Sequence, residues 1–113
     1  MALSVNTLNL LNQYITGVME RAEHHAPNVD EIALAIVGAI IWKVTDEDIQ
    51  VKTYSGQMAN VLWMIINVNR YALVYNHENE TIEIREGSIR GNALYEFTNA
   101  TPIIEIKQAF NNL

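Results

Sequence analysis

The sequence predicts an α+β domain with two N-terminal helices, an antiparallel curved sheet of about four to five strands, and a C-terminal helix. Three observations predict it. Apolar residues recur at helical spacing near residues 4 to 25, and a wholly apolar run behind a helix-capping segment follows from Ile32. Residues 49 to 97 then break into short strand-like segments separated by turn residues. Finally, Thr101-Pro102 opens a last amphipathic stretch. A chain of 113 residues fits one domain, and no linker, repeat or low-complexity tract divides it, so 1–113 is read as a single unit.

In the first helix Leu8, Leu11, Ile15, Val18 and Ala22 form the apolar stripe, with Met19 beside them. Asn9, Gln13, Thr16, Glu20 and Glu23 fall on the other side. Pro27 ends the helix by forcing the residue before it out of the α region. Asn28 is then placed to cap a second helix, with Glu31 reaching back to it. The run IALAIVGAI is apolar all round and must be buried. Residues 35–44 also fit a buried strand; the reading adopted here is helix to about Ala39, then an extended stretch through Trp42 and Val44. Thr45 to Asp48 reads as a polar turn.

Strands are expected at Ile49–Tyr54, Val61–Ile66, Tyr71–Tyr75, Thr81–Glu86 and around Leu94–Phe97. Ser55-Gly56, Asn67-Val68-Asn69, the loop at 76–80 and the segment between Gly87 and Gly91 separate them. Within 81–86, Ile82 and Ile84 point one way, Glu83 and Arg85 the other. In the last helix Thr101 is the expected cap and Pro102 the first helical residue, with Glu105 in the first turn and Ile103, Ile106 and Phe110 facing the core.

Composition removes several function classes. The net charge is −6 and the seven Lys and Arg residues are scattered, which disfavours nucleic acid and an anionic membrane surface. The longest apolar run, Ile32 to Trp42, is too short to span a bilayer, and the N-terminus lacks the basic start of a secretory signal. The absence of cysteine removes disulfides and thiolate chemistry and fits a reducing cytoplasm.

No residue set carries a catalytic motif, and neither a metal nor a cofactor is expected. His24-His25 ends the first helix, where adjacent side chains diverge by about 100° and share an ion poorly. Asp46-Glu47-Asp48 lacks the spaced ligands and internal glycine of a calcium loop. Gly87-Ser88-Ile89-Arg90-Gly91 reads as a turn between strands and not as a phosphate loop. The aromatic residues are more informative. Val61, Trp63 and Ile65 share one strand face, as do Tyr71, Leu73 and Tyr75, and cross-strand pairing is expected to bring Trp63 near Tyr71 or Tyr75.

Glu31 to Trp42 (EIALAIVGAIIW), Arg70 to Glu78 (RYALVYNHE), Ile82 to Ser88 (IEIREGS) and Asn99 to Ile103 (NATPI) together resemble the small uncharacterised proteins of bacterial integron gene cassettes. The resemblance covers about a third of the chain. It implies a compact bacterial cytoplasmic protein, often a homo-oligomer, with no assigned activity. That group shares a genetic context and not a single fold, so no functional residue carries over.

The function expected from the sequence is a non-enzymatic binding or interaction protein that forms a homo-oligomer, dimer or higher. The interface or ligand surface is placed at Trp63, Tyr71, Tyr75 and Trp42, with the small residues Ala35, Gly38 and Ala39 on a neighbouring face. The alternative is a small-molecule pocket or modest enzyme in the curved sheet, with His77, Glu78 and Arg70 as polar groups at an aromatic mouth. An acidic mimic that engages a basic protein surface ranks third.

Overall fold

The computed structural model describes residues 2–5, 8–44, 49–54 and 57–113. The elements run β1 (Ala2–Val5), α1 (Leu8–His25), α2 (Ile32–Lys43), β2 (Ile49–Tyr54), β3 (Gln57–Ile66), β4 (Asn69–Asn76), β5 (Thr81–Glu86), β6 (Ala93–Phe97) and α3 (Ile103–Asn111). The expected α+β class holds. All strands are antiparallel and lie in chain order, β1-β2-β3-β4-β5-β6, in one six-stranded sheet.

The sheet exceeds the expected strand number because a first strand, Ala2–Val5, forms ahead of the helix and overlaps its expected start near residue 4. Ala2 to Val5 pair with β2, Leu3 opposite Val51 and Val5 opposite Ile49, and the helix starts only at Leu8. Four residues of mixed polarity carry no decisive period, so pairing with an available edge settles their conformation. The polar turn assigned to Thr45–Asp48, including Asp46-Glu47-Asp48, and the break at Ser55-Gly56 lie outside the described residues.

In α1, Leu11, Ile15, Val18 and Met19 pack on the core and Ala22 is buried, as their spacing predicts. The side chain of Leu8 lies outside those described. Tyr14, which the stripe did not include, is buried with them. The outer side shows water Asn9, Asn12, Gln13, Thr16, Glu20 and Glu23.

The second helix does not stop at Ala39. It continues through Lys43, and the Val44 N–H donates to the Ile40 carbonyl at 2.9 Å before the backbone turns extended. Helical spacing lines up Ile32, Ile36 and Ile40 on the buried side, an alignment that an extended chain after Ala39 would break. Its N-terminus is also capped otherwise than expected. The Asn99 side-chain oxygen accepts the N–H groups of Glu31 and Ile32 at 3.0 and 2.9 Å, while the Asn28 amide donates to Glu80 at 2.7 Å. Asn99 Nδ2 donates in turn to the Pro27 carbonyl at 3.0 Å and to Asp30 Oδ1 at 2.8 Å, and its backbone N–H donates to the Asn28 carbonyl. A loop before α3 thus satisfies the first donors of α2, 67 and 68 positions earlier in the chain.

At α3, Pro102 occupies the cap position, and Thr101 is not the cap; its hydroxyl accepts the Thr98 N–H at 2.9 Å. Glu105 lies in the first turn as expected, and Ile106 and Phe110 are buried. Ile103 is exposed instead of buried, because the buried seam of Ile106, Ala109, Phe110 and Leu113 begins one turn later.

The core lies between the helices and one sheet face. Ile49, Val51, Leu62, Met64, Ile66, Tyr71, Ile82, Ile84 and Phe97 meet Tyr14, Val29, Ile32, Ile36, Ile40, Ile106 and Phe110. The β3–β4 connection is a two-residue turn with both Asn67 (φ 53°) and Val68 (φ 63°) in the left-handed region. That pattern matches the twist of a hairpin. Gly91 is required where it stands, since a Cβ there would come 1.8 Å from the Glu86 carbonyl oxygen.

Candidate functional site

Strand alternation sends every second residue to the face opposite the helices. The register places Val61, Trp63 and Ile65 of β3, Ala72 and Val74 of β4, Thr81, Glu83 and Arg85 of β5, and Glu96 of β6 on that face. Two rows cross the sheet there. One runs Gln50, Trp63, Ala72, Arg85; the other runs Val61, Val74, Glu83, Glu96. Among the described residues, none of this face belongs to the buried cluster that joins sheet and helices.

Glu83 is the most unusual member, a carboxylate only 2% exposed. Arg85 holds it through Nη2 at 2.6 Å and Nε at 2.8 Å, both to Oε1, and Asn76 Nδ2 donates to Oε2 at 3.0 Å. Burial by itself pushes the carboxyl pKa up. Side-chain hydrogen bonding with Asn76, Arg85 and Glu96 and the Arg85 charge outweigh it and leave the pKa below the ordinary glutamate value. Arg85 Nη1 also donates to the Ile89 carbonyl, which ties the cluster to the β5–β6 turn. The sequence signal for this pair was the Glu83–Arg85 spacing of two on one strand face. Asn76 and Glu96 had no such signal, because they arrive from neighbouring strands. The Thr81 hydroxyl, on the same face, is buried with no hydrogen-bond partner.

At the other side of the face the Arg70 guanidinium stands over the Trp63 ring, 5.4 Å from its centroid. The Arg70 carbonyl accepts the Gly87 N–H at 3.0 Å. Trp63 is thus half-buried with a cation on its ring.

The expected aromatic cluster does not assemble. Trp63 pairs with Ala72, and Tyr71 pairs with Met64, so Trp63 faces away from the helices while Tyr71 and Tyr75 face toward them. Tyr71 is buried in the core and Tyr75 packs against it. Partial desolvation, and secondarily the Glu80 charge, raise the pKa of the Tyr75 phenol. His77 meets Tyr75 edge-on, with centroids 4.7 Å apart. Glu78 is exposed in the same turn, its N–H donating to Asn76 Oδ1 at 2.9 Å. Arg70 lies at the far end of β4 from His77, seven residues away and therefore about 23 Å along the strand. The polar set of His77, Glu78 and Arg70 is consequently two separate places. Among the described residues no three His, Asp or Glu side chains gather as metal ligands, and no helix is long and apolar enough to cross a membrane.

A model of the family described as integron cassette protein VCH_CASS1 chain matches residues 11–107. The chain belongs to this integron cassette protein family. No curated protein matches it. The match spans α1 to most of α3, so both the helix layer and the strands that build the helix-free face lie within the family's shared region.

In this member of the family a second surface stands out on the helix layer. Leu34, Ile41 and Trp42 on the outer side of α2, and Ile103 and Ile104 at the start of α3, are each more than half exposed. Lys43 Nζ sits 4.8 Å from the centroid of the Trp42 ring and donates to Asn111 Oδ1 at 3.3 Å. This bond joins the C-terminal ends of α2 and α3, while the Asn99 loop joins their N-terminal ends, so the helices run side by side in one direction. Trp42, named from sequence together with Trp63, belongs to this surface and not to the sheet.

Proposed function

We propose that this cassette protein is a non-enzymatic interaction protein that acts as a homo-oligomer in the cytoplasm. One observation carries the reading: two helices of one layer treat water oppositely. The outer side of α1 is Asn, Gln, Thr and Glu, whereas that of α2 is Leu34, Gly38, Ile41 and Trp42. A monomer leaves single apolar residues wet without consequence, but a contiguous patch marks a contact surface. Sedimentation velocity at micromolar concentration tests the reading. A species at a multiple of the 12.8 kDa chain mass is expected, and a clean monomer refutes it.

The helix-free sheet face supports a second reading, a ligand surface. Trp63, with Arg70 over its ring, Ala72 next to it in the row and the Glu83–Arg85 pair beyond, suits a flat apolar molecule carrying a polar group. In a Trp42→Phe background Trp63 is the sole tryptophan, so its fluorescence reports that face. A metabolite screen read by thermal shift accompanies it, since ligand at a hundred times its Kd stabilises by about 2.7 kcal/mol. Compounds that shift the melt without moving the Trp63 signal would exclude this face.

A further inference from the structure

We infer that the helix-free sheet face binds an organic amine, its ammonium group seated between Glu83, Glu96 and the Thr81 hydroxyl. The inference rests on the ligand-surface reading above and names the group that the surface recognises.

The seat follows from register. The Gly87 N–H donates to the Arg70 carbonyl on β4, so Arg85 and Glu83, alternate residues back along β5, also turn their backbone groups toward β4. Glu83 and Glu96 therefore form a non-hydrogen-bonded pair of β5 and β6, with Cα atoms about 4.5 Å apart and side chains close together. Like charges directly opposite each other are unfavourable, yet these two side chains are in hydrogen-bonding contact. Two carboxyl groups meet in that way with a donor hydrogen between them. Arg85 does not supply it to Glu96, because both its bonds into the pair end on Glu83 Oε1. Among the described residues no Lys, Arg or His side chain forms an ion pair with Glu96.

Thr81 is the independent sign. It lies two residues before Glu83 on the same face and diagonal to Glu96, roughly 7–8 Å away between Cα atoms. Its hydroxyl is buried, and no partner meets it. Such a group is uncommon in a folded protein.

An ammonium fits the count of acceptors. Ionised Glu83 offers about four acceptor sites, of which Arg85 takes two and Asn76 one. One site on Glu83 Oε2, the Glu96 carboxylate and the Thr81 oxygen remain, one for each N–H of a primary ammonium. No third carboxylate or imidazole joins them among the described residues to make a metal site. Glu96, exposed on the outermost strand, is free to turn and admit the group. The apolar remainder of the amine has its floor in the same row. Val74 stands one strand, about 5 Å, from Glu83, and Trp63 is diagonal to Val74 on β3. A net charge of −6 draws cations to the molecule.

The probe is straight-chain phenylpropylamine, titrated calorimetrically into the full chain. Phenylpropanol and phenylpropionate are its partners without the ammonium. The amine is expected to bind at least about 10-fold more tightly than either, with a Kd that rises with salt. Glu96→Gln and Thr81→Val should each weaken it about 10-fold, whereas Glu20→Gln, on the outer side of α1, leaves it unchanged. Unchanged far-ultraviolet circular dichroism confirms that the variants fold. A parallel titration in the Trp42→Phe background follows Trp63. Equal affinity for the three probes, no binding of the amine, or an amine Kd untouched by Glu96→Gln and Thr81→Val overturns the ammonium seat. The ligand-surface reading outlives that result if any probe or screened metabolite still moves the Trp63 signal, and falls with the seat if none does.

Discussion

Replacing Asn99 by alanine should loosen α2 from a position outside that helix. The asparagine oxygen accepts the N–H groups of Glu31 and Ile32, and its amide donates to the Pro27 carbonyl and the Asp30 carboxylate. Loss of a side-chain cap costs typically about 1 kcal/mol. Each further hydrogen bond adds about 1 kcal/mol, less where water can replace it, as at the exposed Glu31 and Pro27. The expected destabilisation of Asn99→Ala is therefore about 2 kcal/mol. It should appear as a fall of about 1 M in the urea midpoint at unchanged slope, taking a slope of about 2 kcal/mol per M. Asn99→Asp separates the two halves of the role. It keeps the acceptor for α2, loses the donors to Pro27 and Asp30, and sets a second carboxylate beside Asp30, so it should retain only part of the wild-type stability. Asn99→Ala within 0.5 kcal/mol of wild type would refute the assignment of this loop as the cap of α2.

Three further outcomes follow from single positions. Val68 is 94% exposed and holds a left-handed conformation that costs a residue with a Cβ about 1–2 kcal/mol, so Val68→Gly should raise stability by about 1 kcal/mol in urea unfolding; no gain would contradict the turn geometry. Thr81→Val removes a buried hydroxyl that lacks a partner and is expected to be neutral or stabilising by about 1–2 kcal/mol, a loss above 1 kcal/mol showing that the hydroxyl is in fact engaged. For Glu83 the folded-state pKa lies below the unfolded one, so its contribution is present above about pH 4.3 and fades as pH falls through the lower folded value. Denaturation curves from pH 6 down to pH 2 should show a steeper stability loss for wild type than for Glu83→Gln, and parallel curves would refute the held carboxylate.

The sequence by itself determined the element order from Ile49 onward and the alternation inside each strand. Ile82 and Ile84 do part from Glu83 and Arg85, and a tight turn does stand at Asn67-Val68. These features rest on a local period and on residues whose backbone preferences act within a few positions, so the chain states them directly. What the tertiary structure decided was every relation between distant segments. Ala2–Val5 became a strand because β2 offered an edge, and Asn99 became the cap of a helix that begins 67 positions earlier. The register of β3 against β4 set Trp63 opposite Ala72, which divided Trp63 from Tyr71 and Tyr75 and left the candidate site to residues from four strands. Alternation gives each strand two faces without saying which one the helices cover. That choice belongs to pairing and packing across the whole chain, where one residue of shift exchanges inside for outside.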